Sequence, residues 1–507
     1  MAPYTLGYQY LVEQYSLDVL PLQVIARIDS KIKGRQTQRI GNQDILVFES
    51  KYLPEDSLAG HLQFALRYEG INLQVLYFIF RKTGMNELNA WLTASPTSAY
   101  ARRAGFLYEW LTGNELKVNV PAKERYVDLV VHTMQFGLKS GEKDARFRVN
   151  NNLPGNRKFC PLVRRTTYLD TMVANDLPGK TRKTLAGYDK NLLRRAAGFL
   201  YLKETQSSFE VEREKPSPNR TQRFVDLLRQ VDAQIVLSEE RLMELQQAVV
   251  DPRFHEFTWR NRQTWVGKDH GYRQQIDFIP PKPDDLPDLM AGLLSLAKAS
   301  RDWYGKIEND EGESQIDPVI LATVIAFGFV FIHPFMDGNG RIHRYLIHEV
   351  LANAGFTPRG IILPVSAVIL ANLDDYVSVL ELFSKPLRAR TNYNPATPDI
   401  PAVGNEAVYF RYYDATRQAE FLYRSLRRTV EEDLEKEIDY LLGFDRAYQA
   451  LNNLMDWPAH SLDLFIGVVQ QNNGSLSKTK RKSHFDWMVE DEIKKAEQQV
   501  VEAFNKT

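Results

Sequence analysis

The chain has 507 residues, 64 of them basic and 64 acidic, so its formal net charge is zero. Its 25% charged and 44% hydrophobic residues are an ordinary globular composition, which excludes wholesale disorder and a collagen-like chain. Zero net charge argues against a protein that binds nucleic acid or acidic lipid over its whole surface, although it leaves room for a local basic patch.

The cysteine count and the hydropathy pattern indicate where such a chain resides. Cys160 is the only cysteine, so neither an intramolecular disulfide nor a cysteine-based zinc cluster can form, and a reducing compartment fits best. The most apolar stretch, 318–332, is shorter than the roughly 20 residues that a transmembrane helix needs, and it predicts a buried core helix. We therefore expect a cytoplasmic protein with no membrane partner.

Most of the first part of the chain is predicted to be helical. Hydrophobic residues recur at helical spacing on both sides of Glu69-Gly70, and a further helix is predicted at about 100–111. The turn-rich segment 150–156 has no periodicity and predicts a loop. We therefore expect an N-terminal helical domain at 1–120 and a linker or small subdomain at 121–190.

Strand signals are few. The best is a pair of short extended runs, 263–267 and 275–279, which together predict a β-hairpin. Three prolines between 392 and 401 should stop any helix there. These breaks predict a central domain at 191–395 and a helical C-terminal domain at 396–507, so the predicted fold class is mainly α.

The informative motif follows the apolar helix and reads His-Pro-Phe-Met-Asp-Gly-Asn-Gly-Arg-Ile-His-Arg from His333 to Arg344. Gly338, Asn339 and Gly340 can adopt positive φ, so successive backbone N–H groups can form a nest that binds an anion. A helix is predicted to begin there, with Arg341 and Arg344 near its start. This arrangement suits a phosphate chain.

Two further residues of the motif suggest chemistry. Asp337 is a hard oxygen ligand that would suit Mg²⁺ bridging phosphates. His333, which we expect to have a near-neutral pKa, can accept a proton from a hydroxyl nucleophile. The combination predicts in-line transfer of a phosphorus group to a hydroxyl, driven by positioning and charge neutralisation.

This stretch resembles the Fic family signature, HxFx[D/E]GNGRxxR, at every specified position. The resemblance implies a helical Fic core with a short β-hairpin flap, and transfer of AMP from ATP to a Ser, Thr or Tyr hydroxyl of a target protein with Mg²⁺ or Mn²⁺. It also implies roles for individual residues. His333 would be the general base, Asp337 the metal ligand and Phe335 an anchor of the loop in the core.

The remaining roles implied by the resemblance concern the nucleotide. Gly338, Asn339 and Gly340 would hold the α- and β-phosphates. Arg341 would clamp the phosphates, and Arg344 would reach the γ-phosphate. Downstream, Asp375-Tyr376 resembles the family's stretch that closes over the adenine, where Tyr376 either stacks on the base or packs in the core.

The predicted hairpin resembles the family's flap, whose edge receives an extended segment of the target protein by strand addition. In this chain the flap lies near Trp265-Val266-Gly267. An ordinary surface hairpin is the alternative. The resemblance also makes self-modification an expected activity.

Many Fic proteins carry an inhibitory helix, [S/T]xxxE[G/N], whose glutamate pairs with the second arginine of the signature, here Arg344. Ser208 to Glu212 fits this pattern, except that Arg213 replaces Gly or Asn. A second candidate, Glu69, has the glycine but lacks the Ser or Thr. Glu212 is favoured because it precedes the predicted flap, and the alternative is that it belongs to a solvated acidic patch.

Three functional hypotheses follow. The first is an autoinhibited protein adenylyltransferase. The second is a DNA-binding or adaptor protein with a vestigial Fic core; the basic run 475–482 faintly resembles the basic segment of a winged-helix module, and solvated surface is its other interpretation. The third is a Fic enzyme that uses another nucleotide or a phosphocholine donor.

Overall fold

A computed structural model describes residues 4–121, 123–231, 235–271, 274–305, 315–397, 399–458 and 460–505 of the chain. Over these residues the protein is mainly α-helical, with small sheets between the helices. The predicted fold class is therefore confirmed.

Most of the helices bury apolar residues against neighbouring elements. In chain order they are α1 Gly7–Gln14, α2 Leu58–Tyr68, α3 Leu73–Thr83, α4 Asn86–Ala94, α5 Ala99–Thr112, α6 Thr167–Ala174, α7 Leu177–Ala186, α8 Lys190–Val211, α9 Pro218–Leu228, α10 Glu239–Val249, α11 Leu286–Gly305, α12 Pro318–Ile332, α13 Asn339–Asn353, α14 Val365–Ala371, α15 Leu373–Arg390, α16 Ala407–Arg411, α17 Thr416–Arg428, α18 Leu434–Leu454, α19 Ser461–Gln471, α20 Lys478–His484 and α21 Glu490–Asn505.

The strands form three sheets within the described residues, in the orders β1-β2-β4-β3, β5-β7-β6 and β8-β9. In chain order they are β1 Thr5–Leu6, β2 Val24–Ile28, β3 Arg35–Ile40, β4 Gln43–Phe48, β5 Val127–Asp128, β6 Glu142–Asp144, β7 Val149–Asn151, β8 Val266–Asp269 and β9 Gln274–Phe278.

The sheet at the start of the chain is absent from the sequence-based expectation of a helical 1–120 segment. β3 and β4 form an antiparallel hairpin in which Ile40 pairs with Gln43, and β2 joins β4 in parallel. The sequence does contain a hairpin signal. The two-residue turn Gly41-Asn42 lies between β3 and β4, and β4 contains the β-favouring run Ile45–Phe48. All six residues of β3 are exposed, so this strand lacks the alternation of apolar and polar residues that predicts a half-buried strand.

The prediction of a loop at 150–156 is wrong for its first two residues. Asn150 and Asn151 belong to β7, where they pair with β6 and, for Asn150, with β5. Local propensity opposes a strand at consecutive asparagines, and the pairing partners supply the preference instead.

The predicted domain boundaries at 120, 190 and 395 stay predictions, and one hydrophobic core runs across all of them. It extends from Tyr8 through Phe159 and Phe209 to Ile438. Cys160 is buried in this core. A segment predicted to be a linker therefore contributes to the main core.

The apolar stretch 318–332 forms α12, as predicted, and lies at the centre of the main core. Asp317 caps it by accepting hydrogen bonds from the backbone N–H groups of Val319 and Ile320, and Pro318 occupies the first turn. α12 packs along α13, which fixes the loop between them. No helix among the described residues is long and apolar enough to cross a membrane.

A second, smaller core lies at the C-terminal end. It involves α18, α19 and α21, and runs from Ala447 to Ala503. Between 416 and 505 the described residues contain helices and no strand, so the winged-helix-like alternative lacks its wing there. The basic run 475–482 includes the start of α20, which Ser477 caps.

Candidate active site

The motif loop joins the end of α12 to the start of α13. His333 ends α12 with φ of 52°, and Gly338 precedes α13 with φ of 93°, a value that favours glycine. Asn339 holds the loop closed, because its Oδ1 accepts a hydrogen bond from Phe335 N at 3.1 Å and its Nδ2 donates to Phe335 O at 2.8 Å. Phe335 itself is fully buried. The loop is thus fixed by contacts inside the motif.

His333 is half-buried at the mouth of this loop. Its Nδ1 lies 3.2 Å from the carbonyl oxygen of Val330 and can donate a hydrogen bond to it, which leaves the lone pair on Nε2. Burial, followed by the nearby charge of Arg260, lowers the pKa of His333 to about 4, and Glu212 and Asp337 act in the opposite direction. The near-neutral pKa expected from the sequence is therefore wrong, because burial disfavours the charged ring; the imidazole is neutral at pH 7 and able to accept a proton.

The predicted phosphate nest lies at the N-terminus of α13. The residue before the helix is Gly338, which has no side chain to satisfy the first backbone N–H groups. Gly340 closely approaches the end of α8, since a Cβ atom added there would lie 2.1 Å from Oε1 of Glu212. A side chain at 340 would therefore collide with the carboxylate that lies beside the nest.

Arg344 is buried and makes three hydrogen bonds to α8 and its C-terminal cap. Its Nε donates to Ser208 Oγ at 2.9 Å, and its Nη2 donates to Ser208 O at 2.6 Å and to Glu212 Oε1 at 2.9 Å. The structure therefore brings together the first and fifth positions of the inhibitory pattern and the arginine predicted to meet them. Glu69, the other candidate, instead accepts a hydrogen bond from Tyr8 N.

The end of α8 explains why the pattern specifies Gly or Asn after the glutamate. Arg213 has φ of 59°. Its N–H donates to Glu210 O at 2.8 Å, and the N–H of Glu214 donates to Phe209 O at 3.0 Å, which together make a Schellman motif. Arg213 therefore occupies a left-handed position that glycine or asparagine adopts with less strain.

Arg341 is held by a carboxylate that the sequence analysis did not single out as a contact. Its Nη1 donates to Glu214 Oε2 at 2.9 Å and to Val249 O at 2.8 Å, and its Nη2 donates to Asp337 Oδ1 at 2.8 Å. Glu214 also accepts from Arg220 at 2.9 Å. Both motif arginines are thus paired with carboxylates just beyond the end of α8.

α8 is also held in register further along its length. Glu204 is fully buried and lies 2.8 Å from Nε2 of His348 on α13, and its other oxygen accepts from the N–H of Ser366 at 2.9 Å. This cluster aligns α8 with α13 one turn before Ser208. The sequence pattern does not single out Glu204, because polar residues such as Thr205 and Ser207 are buried beside it on the same helix.

Asp337 is the residue predicted to bind the metal. Its side chain is 47% exposed, and its Oδ1 accepts from Gly338 N at 2.6 Å and from Arg341. No group of three or more metal-ligating side chains is found among the described residues. A half-exposed carboxylate of this kind fits Mg²⁺ or Mn²⁺ that takes its other ligands from phosphates and water.

Tyr376 lies in the core below the nest and is 5% exposed. Its hydroxyl is 3.2 Å from Nδ1 of His343, and the two rings are stacked with centroids 6.0 Å apart. Burial raises the pKa of Tyr376 to about 12. These contacts are those of a packed core residue, and adenine stacking by Tyr376 stays a prediction that they do not support.

The predicted hairpin forms β8 and β9, which pair antiparallel with a bulge between Val266 and Gly267. All four residues of β8 are exposed, whereas β9 packs against α15. β9 is itself exposed at three of its five residues and is anchored by the buried Phe278. Arg260, at the base of this hairpin, is a residue that the sequence analysis did not consider.

Comparison with known proteins places this site in a family. A family model described as Fic/DOC family matches residues 236–351. The chain is 32% identical over 123 residues to a protein adenylyltransferase fic-1 from Caenorhabditis briggsae, a match that covers 23% of this chain and 20% of that protein. It is 37% identical over 82 residues to a protein adenylyltransferase Fic from Nematostella vectensis, covering 16% and 17%.

The chain spans only about a fifth of the length of the curated relatives that it matches. Among solved structures, a Fic family protein from Desulfovibrio desulfuricans G20 is 20% identical with a TM-score of 0.39, covering 65% of this chain and 90% of that one. A Fic domain containing signaling protein from Bacteroides thetaiotaomicron is 20% identical with a TM-score of 0.32, covering 52% and 96%. On the match of the family model, the chain contains a domain of the Fic/DOC family at residues 236–351.

Proposed function

We propose that this protein is an adenylyltransferase that moves AMP from ATP to a Ser, Thr or Tyr hydroxyl of a target protein. The observation that carries the proposal is the loop in which a neutral, half-buried His333 stands beside the uncapped N-terminus of α13. The names of the relatives at 32–37% identity over this region support the same reaction.

In this reaction the acceptor hydroxyl oxygen forms a bond to the α-phosphorus of ATP, and the bond from that phosphorus to the bridging oxygen of the β-phosphate breaks. Pyrophosphate leaves with the electron pair. The hydroxyl proton passes to Nε2 of His333, whose ring is oriented by the contact of Nδ1 with Val330. The first backbone N–H groups of α13 offset the negative charge of the phosphates.

Mg²⁺ or Mn²⁺ is the metal that we propose for this site, with Asp337 as its protein ligand. When bound, it would neutralise charge on the phosphates. The carboxylate of Asp337 is shared with Arg341 in this structure. Movement of Arg341 toward a phosphate would remove one of the two hydrogen bonds to that oxygen, and the bond from Gly338 N would remain.

We further propose that the protein is autoinhibited by Glu212. Its carboxylate pairs with Arg344 and lies against Gly340, in the space that the resemblance assigns to the terminal phosphates. A negative carboxylate there repels the γ-phosphate and occupies the arginine that should hold it. ATP would then bind with its α-phosphorus misaligned for attack.

The acceptor is proposed to bind by strand addition along β8. All four residues of this strand are exposed, and in the described two-stranded sheet it pairs with β9 along one edge, so its other edge offers backbone donors and acceptors to an extended segment. A segment of a second copy could use the same edge, which would give self-modification. Prolines placed singly along β8 should lower acceptor labelling and leave nucleotide affinity unchanged.

Intact-mass measurement tests the proposed reaction. The Glu212→Gly variant, incubated with ATP and Mg²⁺, should gain the mass of one or more AMP units, and the wild type should gain less. Parallel incubations with other nucleoside triphosphates and with CDP-choline identify the donor. No mass gain with any donor, or a gain of phosphocholine, contradicts the proposed function.

A further inference from the structure

Arg260 is a buried arginine in the loop that leads into the flap, with 3% of its surface exposed. Its Nε donates to the carbonyl oxygen of His333 at 2.9 Å, and its backbone N–H donates to the carbonyl oxygen of Pro334, also at 2.9 Å. Both carbonyls at the start of the motif loop are therefore held by one residue. This matters because His333 has a left-handed conformation that such contacts must stabilise.

The rest of the guanidinium is bonded to the base of the flap. Nη1 donates to Arg262 O at 2.8 Å, just before β8, and Nη2 donates to Pro281 O at 2.5 Å, just after β9. Next to it, Gln263 donates to Pro280 O at 2.9 Å. One planar side chain thus connects the predicted base to both ends of the hairpin, using a fork geometry that lysine lacks.

We propose that Arg260 is the positioning residue of this site, which fixes the main chain of His333 relative to the flap. The imidazole then keeps a fixed distance and orientation relative to an acceptor segment that is bound along β8. This inference rests on the proposed function. In this role Arg260 does not contact the substrate. It acts on the placement of the acceptor and not on the affinity for the nucleotide.

The charge of Arg260 has a second effect on the same histidine. Burial lowers the pKa of Arg260 to about 10, so the side chain stays cationic at neutral pH. The charged groups that act on His333 are Arg260 from the flap loop, Glu212 beyond α8 and Asp337 from the motif loop. Of these, Arg260 opposes protonation of the imidazole, so removal of its charge should raise the pKa of His333.

The test uses Arg260→Lys, which keeps the charge, and Arg260→Gln, which removes it, both in the Glu212→Gly background. We expect kcat for AMP transfer to fall by roughly 100-fold in both variants, since small displacements of reacting groups have effects of that size. The KM for ATP should stay unchanged. The acidic limb of the kcat/KM profile should move toward neutral pH in Arg260→Gln only.

Arg262→Gln is the matched control, because Arg262 is exposed and its nearest carboxylate contact, with Asp399, is 3.7 Å long. It should change neither kcat nor the pH profile. The proposal is overturned if Arg260→Lys keeps the parental kcat, if it loses folding or ATP affinity together with kcat, or if the control loses as much activity. The first outcome excludes positioning, and the second assigns Arg260 to general stability.

A measurement without turnover keeps the two proposals apart. Histidine side-chain NMR, assigned with His333→Ala, should show the His333 titration at higher pH in Arg260→Gln than in the parent. If the parent does not transfer AMP, the proposed function fails. The titration still tests whether Arg260 acts on His333. An unchanged titration overturns the role of Arg260 at His333.

Discussion

The motif loop and the end of α8 meet at the same site, and they are held in different ways. Inside the loop, Asn339 bonds to Phe335 and Arg341 to Asp337, and each pair is four residues apart in the chain. The contacts of α8 with the motif arginines join residues 127 to 136 positions apart. The loop therefore combines short-range contacts with a distant partner, Arg260, whereas the end of α8 meets the motif arginines only through contacts across the fold.

This difference teaches how a proposed active site and its proposed brake can coexist. The contacts of Asn339 with Phe335 and of Arg260 with His333 do not involve α8, so they remain when a carboxylate at the end of α8 is removed. The contacts of α8 are charged and partly exposed, with Glu212 37% and Glu214 34% exposed at the side chain, so a bound anion can compete for the arginines. Loss of the catalytic side chain of the loop should therefore abolish activity, whereas loss of a carboxylate that pairs with a motif arginine at the end of α8 should increase it.

The largest effect is expected from His333→Ala. Loss of the general base should lower AMP transfer by roughly 10²- to 10⁴-fold. ATP affinity, measured by calorimetry, should stay near the parental value because the nest and the arginines are untouched. Retained transfer at the parental rate would show that His333 does not accept the proton.

The next effect is that of Glu212→Gly, which should raise transfer by roughly tenfold or more, equivalent to about 1.4 kcal/mol or more in the activation free energy. The reason is the release of Arg344 from its carboxylate. Rates are measured with labelled ATP. Glu210→Gly, which removes an exposed carboxylate two residues earlier, is the control and should have no effect.

The low pKa of His333 leads to a prediction about the pH dependence of the reaction. A pKa of about 4 means that the base is neutral above that value and protonated below it. In the Glu212→Gly enzyme, kcat/KM should therefore be flat from neutral pH down to about pH 5 and should fall only below it. A half-maximal value near pH 6.5, the ordinary value for histidine, would contradict the burial of this ring.

Glu214→Gln should activate less than Glu212→Gly. It neutralises the carboxylate on Arg341, but Val249 O and Asp337 still hold that arginine. The double variant measures whether the two carboxylates act together, because neighbouring contacts on one element couple. Rates that multiply without coupling would indicate that Glu212 and Glu214 act independently.

The smallest effect is expected from Arg213→Gly, which should tighten the contact between α8 and the loop. Relief of the left-handed strain should stabilise the protein by about 1 kcal/mol, seen as a higher Tm, and should lower basal labelling. Arg213→Ala keeps the strain and removes the guanidinium. If Arg213→Ala stabilises as much as Arg213→Gly, the conformation is not the cause.

Sequence alone determined the parts of this protein that depend on short-range patterns. The apolar run 318–332 predicted the buried helix α12. Gly338 supplies the positive φ directly before α13, although Asn339 and Gly340, which were also expected to permit positive φ, already belong to that helix. The pairing of Arg344 with Glu212 was also predicted, although from a family pattern and not from chemistry.

Tertiary structure decided the rest. The sheet formed by β1 to β4 depends on a parallel pairing, and the strand at Asn150 depends on partners that override its local preference. Glu214 contacts Arg341, which is 127 residues away in the chain, and Arg260 contacts His333, which is 73 residues away. Periodicity and motif spacing describe neighbours along the chain, whereas a buried charge is assigned its partner only when distant segments pack together.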